Sequence, residues 1–177
     1  LEIIEQYGAD SLRFALITGN SPGNDLRFKW ERVEGARNFM NKIWNACRFT
    51  LMNLNDYQPD AYPLQLTLAD KWALTRLQQV ASQADENMEK FELGEALREI
   101  YDFAWDEFCD WYVELAKLRL YKGGPEERHT AQTVLIQLLT AILELLHPFI
   151  PFITEELWQQ LPHSGDTIML ARYAAAK

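Results

Sequence analysis

Apolar residues recur every three to four positions along most of this chain, the spacing of helices that bury one face. The pattern is clearest from Trp30 to about Asn53. At about 100° per residue, Val33, Ala36, Met40, Ile43, Trp44, Cys47, Leu51 and Leu54 gather on one side. Asn38, Asn41, Lys42, Asn45 and Arg48 gather on the other, and Phe39 sits near the edge of the apolar face. Lys29 is a poor N-cap, so the start of this helix is placed only approximately.

Three further long helices are predicted. Thr67 and Asp70 resemble a capping box opening a helix that runs to about Lys90. The next spans about Leu93 to Tyr121. After KGGPEE, Pro125 suits the first turn of a helix ending at His147, where Pro148 stops it. PFITEELWQQL makes a last short helix. Before Trp30, Gly8 can close one helical piece and Asp10 can cap a second, SLRFALITG; NSPGND reads as a loop and DLRFKW as extended. The tail HSGDTIMLARYAAAK carries weak structural signals. The expectation is an all-α fold: a helical bundle of four long helices plus a short C-terminal helix, with a small N-terminal appendage.

Composition narrows the class. Of 177 residues, 48% are hydrophobic and 12% aromatic, enough for a real core and against disorder. No run of about 18 uncharged apolar residues exists, so no membrane span is expected. The start, LEIIEQYGAD, resembles no signal peptide and opens in mid-pattern, as a piece of a longer chain would. Cys47 and Cys109 lie inside helical patterns without disulfide or zinc spacing, which fits buried thiols in a reducing, cytoplasmic setting.

Net charge is −9, which taken whole argues against nucleic acid. The charge is uneven, however. Eleven acids between Asp85 and Glu114 face only Lys90 and Arg98, the pattern of a solvated acidic surface. Between Leu26 and Asn53, six basic residues stand against Glu31 and Glu34. That basic stretch is the helix with the polar face described above.

Phe49 is the anomaly of that helix, because it falls between Lys42 and Asn45 on the polar side. Two readings compete. In one, the ring packs on another helix or on the appendage, and the amides cap neighbouring backbone. In the other, an aromatic flanked by amides and cations is a platform for single-stranded nucleic acid. A base stacks on the ring, Asn38, Asn41 and Asn45 meet base edges, and Lys42 and Arg48 hold phosphates.

GNDLRFKWERVEGARNFMNKIWNACRF, WDEFCDWYVELAK and LHPFIPFITEELW, in that order, resemble the valyl-tRNA synthetases of class I, at the junction into their helical anticodon-binding domain. IEQYGADSLRFAL is similar to the stem-contact region preceding it. HPFIPFITEELW is shared with isoleucyl and leucyl enzymes, whereas NKIWNACRF and CDWYVELAK point to the valyl type. The resemblance covers roughly residues 1 to 165. It implies the end of a stem-contact region over 1–29, an anticodon-binding domain over 30–165, and a tail over 166–177 leading toward an absent arm.

It also implies a cytoplasmic, ATP- and magnesium-dependent valine–tRNA ligase. The partners would be the tRNA for valine and the catalytic domain of the same polypeptide, with no membrane and no DNA. This stretch would do no chemistry, since the family's His-x-Gly-His element and Lys-Met-Ser-Lys-Ser loop are missing. Lys42, Asn45, Arg48 and Phe49 match its N-K-x-W-N-x-x-R-F pattern, with Phe49 stacking on an anticodon base. Asp110, Trp111 and Glu114 are candidates for an opposing wall, against a reading of Trp111 as core. Lys29, where Ser or Asp is usual, and Ala174, where Pro is usual, depart from the family pattern.

Two other classes remain open. One is a helical protein-interaction module using Phe49 as an anchor; another is the equivalent domain of an isoleucyl- or leucyl-type enzyme. A di-iron reading of Glu126 with His129 and Glu144 with His147 fails on geometry. Both pairs lie on one helix, about 27 Å apart at 1.5 Å per residue. His147 is expected to form a corner with Pro148 and Pro151, its imidazole bonding backbone.

Overall fold

The structure is a computed structural model, described here for residues 2–18 and 28–173. Two short helices, α1 (Glu2–Tyr7) and α2 (Ala9–Ile17), precede α3 (Trp30–Met52) and α4 (Leu68–Glu89). The third long rod is composite: α5 (Leu93–Asp102), a π-helical segment (Phe103–Tyr112) and α6 (Val113–Lys122). Then come α7 (Pro125–Leu146), α8 (Pro151–Gln160) and a 3₁₀ turn, Ile168–Leu170. Among the described residues there is no strand. The expected NSPGND loop and the first half of DLRFKW lie outside the described residues.

The centre of the bundle is α7, with Val134, Leu135, Leu138, Leu139, Ile142, Leu143, Leu145 and Leu146 fully buried. By length and composition α7 could cross a membrane. Its apolarity is accounted for by the bundle, which buries 67% of its most apolar window. The tail is better ordered than its sequence suggests, because Ile168 is buried and Ala171 and Tyr173 pack on the core.

Caps set the helix boundaries. Thr67 and Asp70 form the expected capping box at the start of α4. The Asp70 carboxylate also receives both Arg119 Nη atoms, at 2.8 and 2.6 Å, and the Tyr112 hydroxyl at 2.6 Å, which locks α4 to the composite rod. Burial opposes ionisation of Asp70, and Arg119, Tyr112 and Thr67 together overcome it, leaving its pKa lowered. Arg128 on α7 holds the α3–α4 connection through Asp56 and the Asn53 carbonyl, and also donates to the Leu120 carbonyl of α6.

Asp10 does not cap its own helix. It lies in the first turn of α2, and its carboxylate accepts the Ile153 and Phe152 N–H groups, at 2.7 and 3.4 Å. Those are first-turn amides of α8, which have no intrahelical partner. Arg13, one turn on, donates to the Phe149 and Pro148 carbonyls, both at 3.0 Å. The appendage is therefore pinned to the α7–α8 corner. At that corner His147 bonds a side chain rather than backbone: Nδ1 lies 2.8 Å from Thr154 Oγ1.

The buried side of α3 is rotated from the one its apolar spacing suggests. Phe39 is fully buried against Tyr101 and Trp105, and Ala46 and Thr50 are buried too, while Trp44 is 41% exposed. The cause is unequal neighbours. One flank of α3 packs on the π segment of the composite rod, whereas beside Trp44 the short helices α2 and α8 leave a furrow open.

Candidate nucleic-acid interface

The polar side of α3 faces outward. Asn38, Asn41, Asn45 and Arg48 are exposed, and Lys42 and Phe49 are partly buried. The side-chain amides of Asn38, Asn41 and Asn45 have no hydrogen-bond partner among the described residues, so they cap no backbone and remain available. Arg48 likewise has no ion pair among the described residues.

Lys42 is held differently. Its Nζ sits 2.6 Å from Asp110 Oδ1 and 3.9 Å from the centre of the Trp105 ring. Trp105 and Asp110 are five residues apart, which on an α-helix would turn them well away from each other. The π segment hydrogen-bonds i to i+5, so its successive turns place such residues roughly in line. The sequence predicts one continuous α-helix here; the wider winding is what lets ring and carboxylate grip one ammonium. Burial pushes the neighbouring Cys109 thiol up to about 12, with Lys42 pulling the other way.

Phe49 is neither a core residue nor a free plate. Its ring meets Tyr121 edge-on, with centroids 6.5 Å apart at 89°, and Lys117 Nζ lies 5.6 Å from its centre. Lys117 in turn pairs with Glu114. Of the three residues expected to form an opposing wall, Asp110 and Glu114 are joined to the α3 face through Lys42 and Lys117. Trp111 is not. Asp110 faces α3 and Tyr112 faces Asp70 on α4, so Trp111 projects outward between them, 65% exposed rather than packed in the core.

Charge divides the face into two flanks. Toward the composite rod, Lys42 and Lys117 are each matched by a carboxylate. Toward α8 stand Arg37, Asn41, Trp44 and Arg48, on one side of α3 at helical spacing, with both arginines free of ion pairs among the described residues. Sequence reasoning missed Trp105, Lys117 and Tyr121 as supports. It also assigned Trp44 to the core, although its spacing from Arg37, Asn41 and Arg48 was a usable signal.

Fold and face together define an all-α bundle with one outward helix face of amides, cations and rings. The chain belongs to the family of anticodon-binding domains of tRNA ligases, whose model matches residues 70–177. It is 60% identical over 172 residues to a valine–tRNA ligase of Carboxydothermus hydrogenoformans, covering 97% of this chain and 20% of that protein. A valine–tRNA ligase of Oceanobacillus iheyensis is 50% identical over 175 residues, covering 98% and 20%.

The chain thus spans about a fifth of the length of these relatives. The same fold occurs in the crystal structure of the ternary complex of Agrobacterium radiobacter K84 agnB2 LeuRS-tRNA-LeuAMS. The TM-score is 0.70 at 18% identity, over 99% of this chain and 21% of that one.

Proposed function

We propose that this chain is the part of a valine–tRNA ligase that holds the anticodon stem-loop, while aminoacylation with ATP and magnesium takes place in parts of the protein beyond it. The observation that carries this reading is the outward face of α3, with three amides and an Arg48 that have no partner among the described residues, and the half-buried ring of Phe49. The identity to valine–tRNA ligases over nearly the whole chain supports the amino acid. Residues 1–29 then end the stem-contact region and 30–165 form the anticodon-binding bundle, onto which the tail packs through Ile168, Ala171 and Tyr173. Asn38, Asn41 and Asn45 meet base edges, Arg48 meets phosphate, and Phe49 carries a base.

The test is a binding titration of the chain with a valine-type anticodon stem-loop beside an isoleucine-type loop, at 50 and 200 mM salt. The valine-type loop is expected to bind more tightly. Each phosphate held on a single strand contributes a slope of about −0.7 in log K against log salt, so Arg48→Gln should flatten the slope by about that amount. Binding that ignores salt would instead favour a protein-interaction module.

Lys42 gives a second expected outcome. Asp110 neutralises it, so an incoming phosphate must displace a carboxylate to reach it. Asp110→Asn should therefore tighten RNA binding about threefold at low salt and steepen the salt slope by about 0.7, as one more cation becomes available. Unchanged affinity and slope would mean that no phosphate approaches Lys42.

A further inference from the structure

The α8 flank of α3 borders a furrow that the reading above leaves unused. Near the appendage it is a cavity of about 450 Å³, lined by Arg37, Asn41, Trp44, Phe152 and Glu156 among others. It continues as one of about 290 Å³, lined by Trp44, Arg48, Leu51 and Gln160. Trp44 borders both. The wall residues ascend together on the two helices, 37 to 51 on α3 and 152 to 160 on α8, so the furrow follows one direction. Its α3 wall is about 21 Å long at 1.5 Å per residue.

Three observations say what would lie there. The first is charge. Arg37 and Arg48 line its two ends and have no ion pair among the described residues, whereas Lys42 and Lys117 on the opposite flank are neutralised. Arg37 stands 5.8 Å over the Tyr7 ring, which orients the guanidinium and leaves its charge unspent. Of the two acids bordering the furrow, Asp10 already accepts the α8 amides, leaving Glu156 as the opposing charge.

The second is aromatic surface. Trp44 is 41% exposed in the middle of the furrow and Phe152, on the opposite wall, is 67% exposed. The third is continuity: Asn41 and Arg48 belong both to the α3 face and to this furrow.

We infer that the furrow between α3 and α8 is a second track for single-stranded RNA, in which an unpaired base stacks on Trp44 and its flanking phosphates meet Arg37 and Arg48. This rests on the RNA reading of the α3 face and adds a base platform distinct from Phe49. An indole offers every base a stacking surface, so the track is tolerant of sequence and holds the strand while the amides of α3 read base edges.

The experiment uses an anticodon stem-loop carrying 2-aminopurine at each loop position in turn, because stacking on an aromatic ring quenches that base. Bound to the wild-type chain, one loop position should be quenched in a way that Trp44→Leu abolishes, Phe49→Leu leaves intact and Trp44→Phe restores. Trp44→Leu should weaken binding about five- to fiftyfold, within the range for one base–aromatic stack. Arg37→Gln should flatten the salt slope by about 0.7 without altering Phe49-dependent quenching.

If Trp44→Leu leaves quenching and affinity unchanged while Phe49→Leu weakens binding, the furrow carries no RNA and the α3 face still does. A loss that Trp44→Phe does not restore overturns stacking as its cause. If the wild-type chain binds no RNA under conditions in which it remains folded, both readings fall together.

Discussion

Replacing Asp70 by alanine will lower the unfolding free energy by about 3–5 kcal/mol, the range for removing one partner of a buried ion pair. The Asp70 side chain is fully buried and serves two roles at once. It completes the capping box of α4, and it is the acceptor for Arg119 and Tyr112 on the composite rod. Truncation removes the carboxylate half of the capping box of a 22-residue helix and leaves a guanidinium and a phenol without their acceptor, and their desolvation is no longer offset. In a chain of this length the loss corresponds to roughly 10 °C in Tm.

The pH dependence follows from the lowered pKa of Asp70. A carboxylate depressed in the folded state contributes stability above its unfolded pKa, and loses that contribution as pH falls through the folded value. Wild type should therefore lose stability below about pH 4, and Asp70→Ala should lack that component. Thermal melts of both proteins between pH 3 and 7 measure it. Parallel curves would show that folding leaves the Asp70 pKa where it stands in the unfolded chain, and curves diverging the other way would show a carboxyl kept neutral in the fold. The comparison pair is Lys42 with Asp110, where Asp110 is 53% exposed; solvent screening holds such a pair to about 1 kcal/mol or less.

Local signals in the sequence carried much of this fold. The Thr67–Asp70 box, Pro125 at the start of α7 and the apolar spacing of α3 each act within a few residues, so they are readable from a single stretch of chain. What was not readable lies between stretches. Asp70 finds Arg119 49 positions away, and Asp10 finds α8 amides 143 positions away instead of its own helix end. Over ten residues, π and α winding leave similar apolar patterns, so nothing marked the segment that aligns Trp105 with Asp110.

The candidate site shows the same division. Asn38, Asn41, Asn45 and Arg48 are exposed as their spacing implied, because their placement depends on α3 alone. Trp44 was misplaced because its burial depended on how much of its flank the short α8 would cover. Lys42 and Asp110 were both singled out from sequence, yet their pairing with each other was invisible there, and it alters which cations are free.

Phe49→Ala will weaken binding of a valine-type anticodon stem-loop by about five- to 150-fold, the loss expected when one base–aromatic stack of roughly 1–3 kcal/mol is removed. Its geometry demands a control. Tyr121 meets the ring edge-on and Lys117 stands over it, so alanine also removes packing between α3 and α6. Phe49→Leu separates the two contributions, because an aliphatic side chain of similar bulk keeps most of the packing and offers no π surface.

If the ring is a reading platform, Phe49→Leu should retain most of the melting temperature that Phe49→Ala loses, while its affinity for RNA falls nearly as far. If the ring only braces α3 against α6, affinity and melting temperature will recover together in Phe49→Leu. The decisive quantity is therefore the ratio of the two losses. Either outcome assigns the aromatic at the end of N-K-x-W-N-x-x-R-F, since bracing acts on the fold whether RNA is present or not and stacking acts only on the complex.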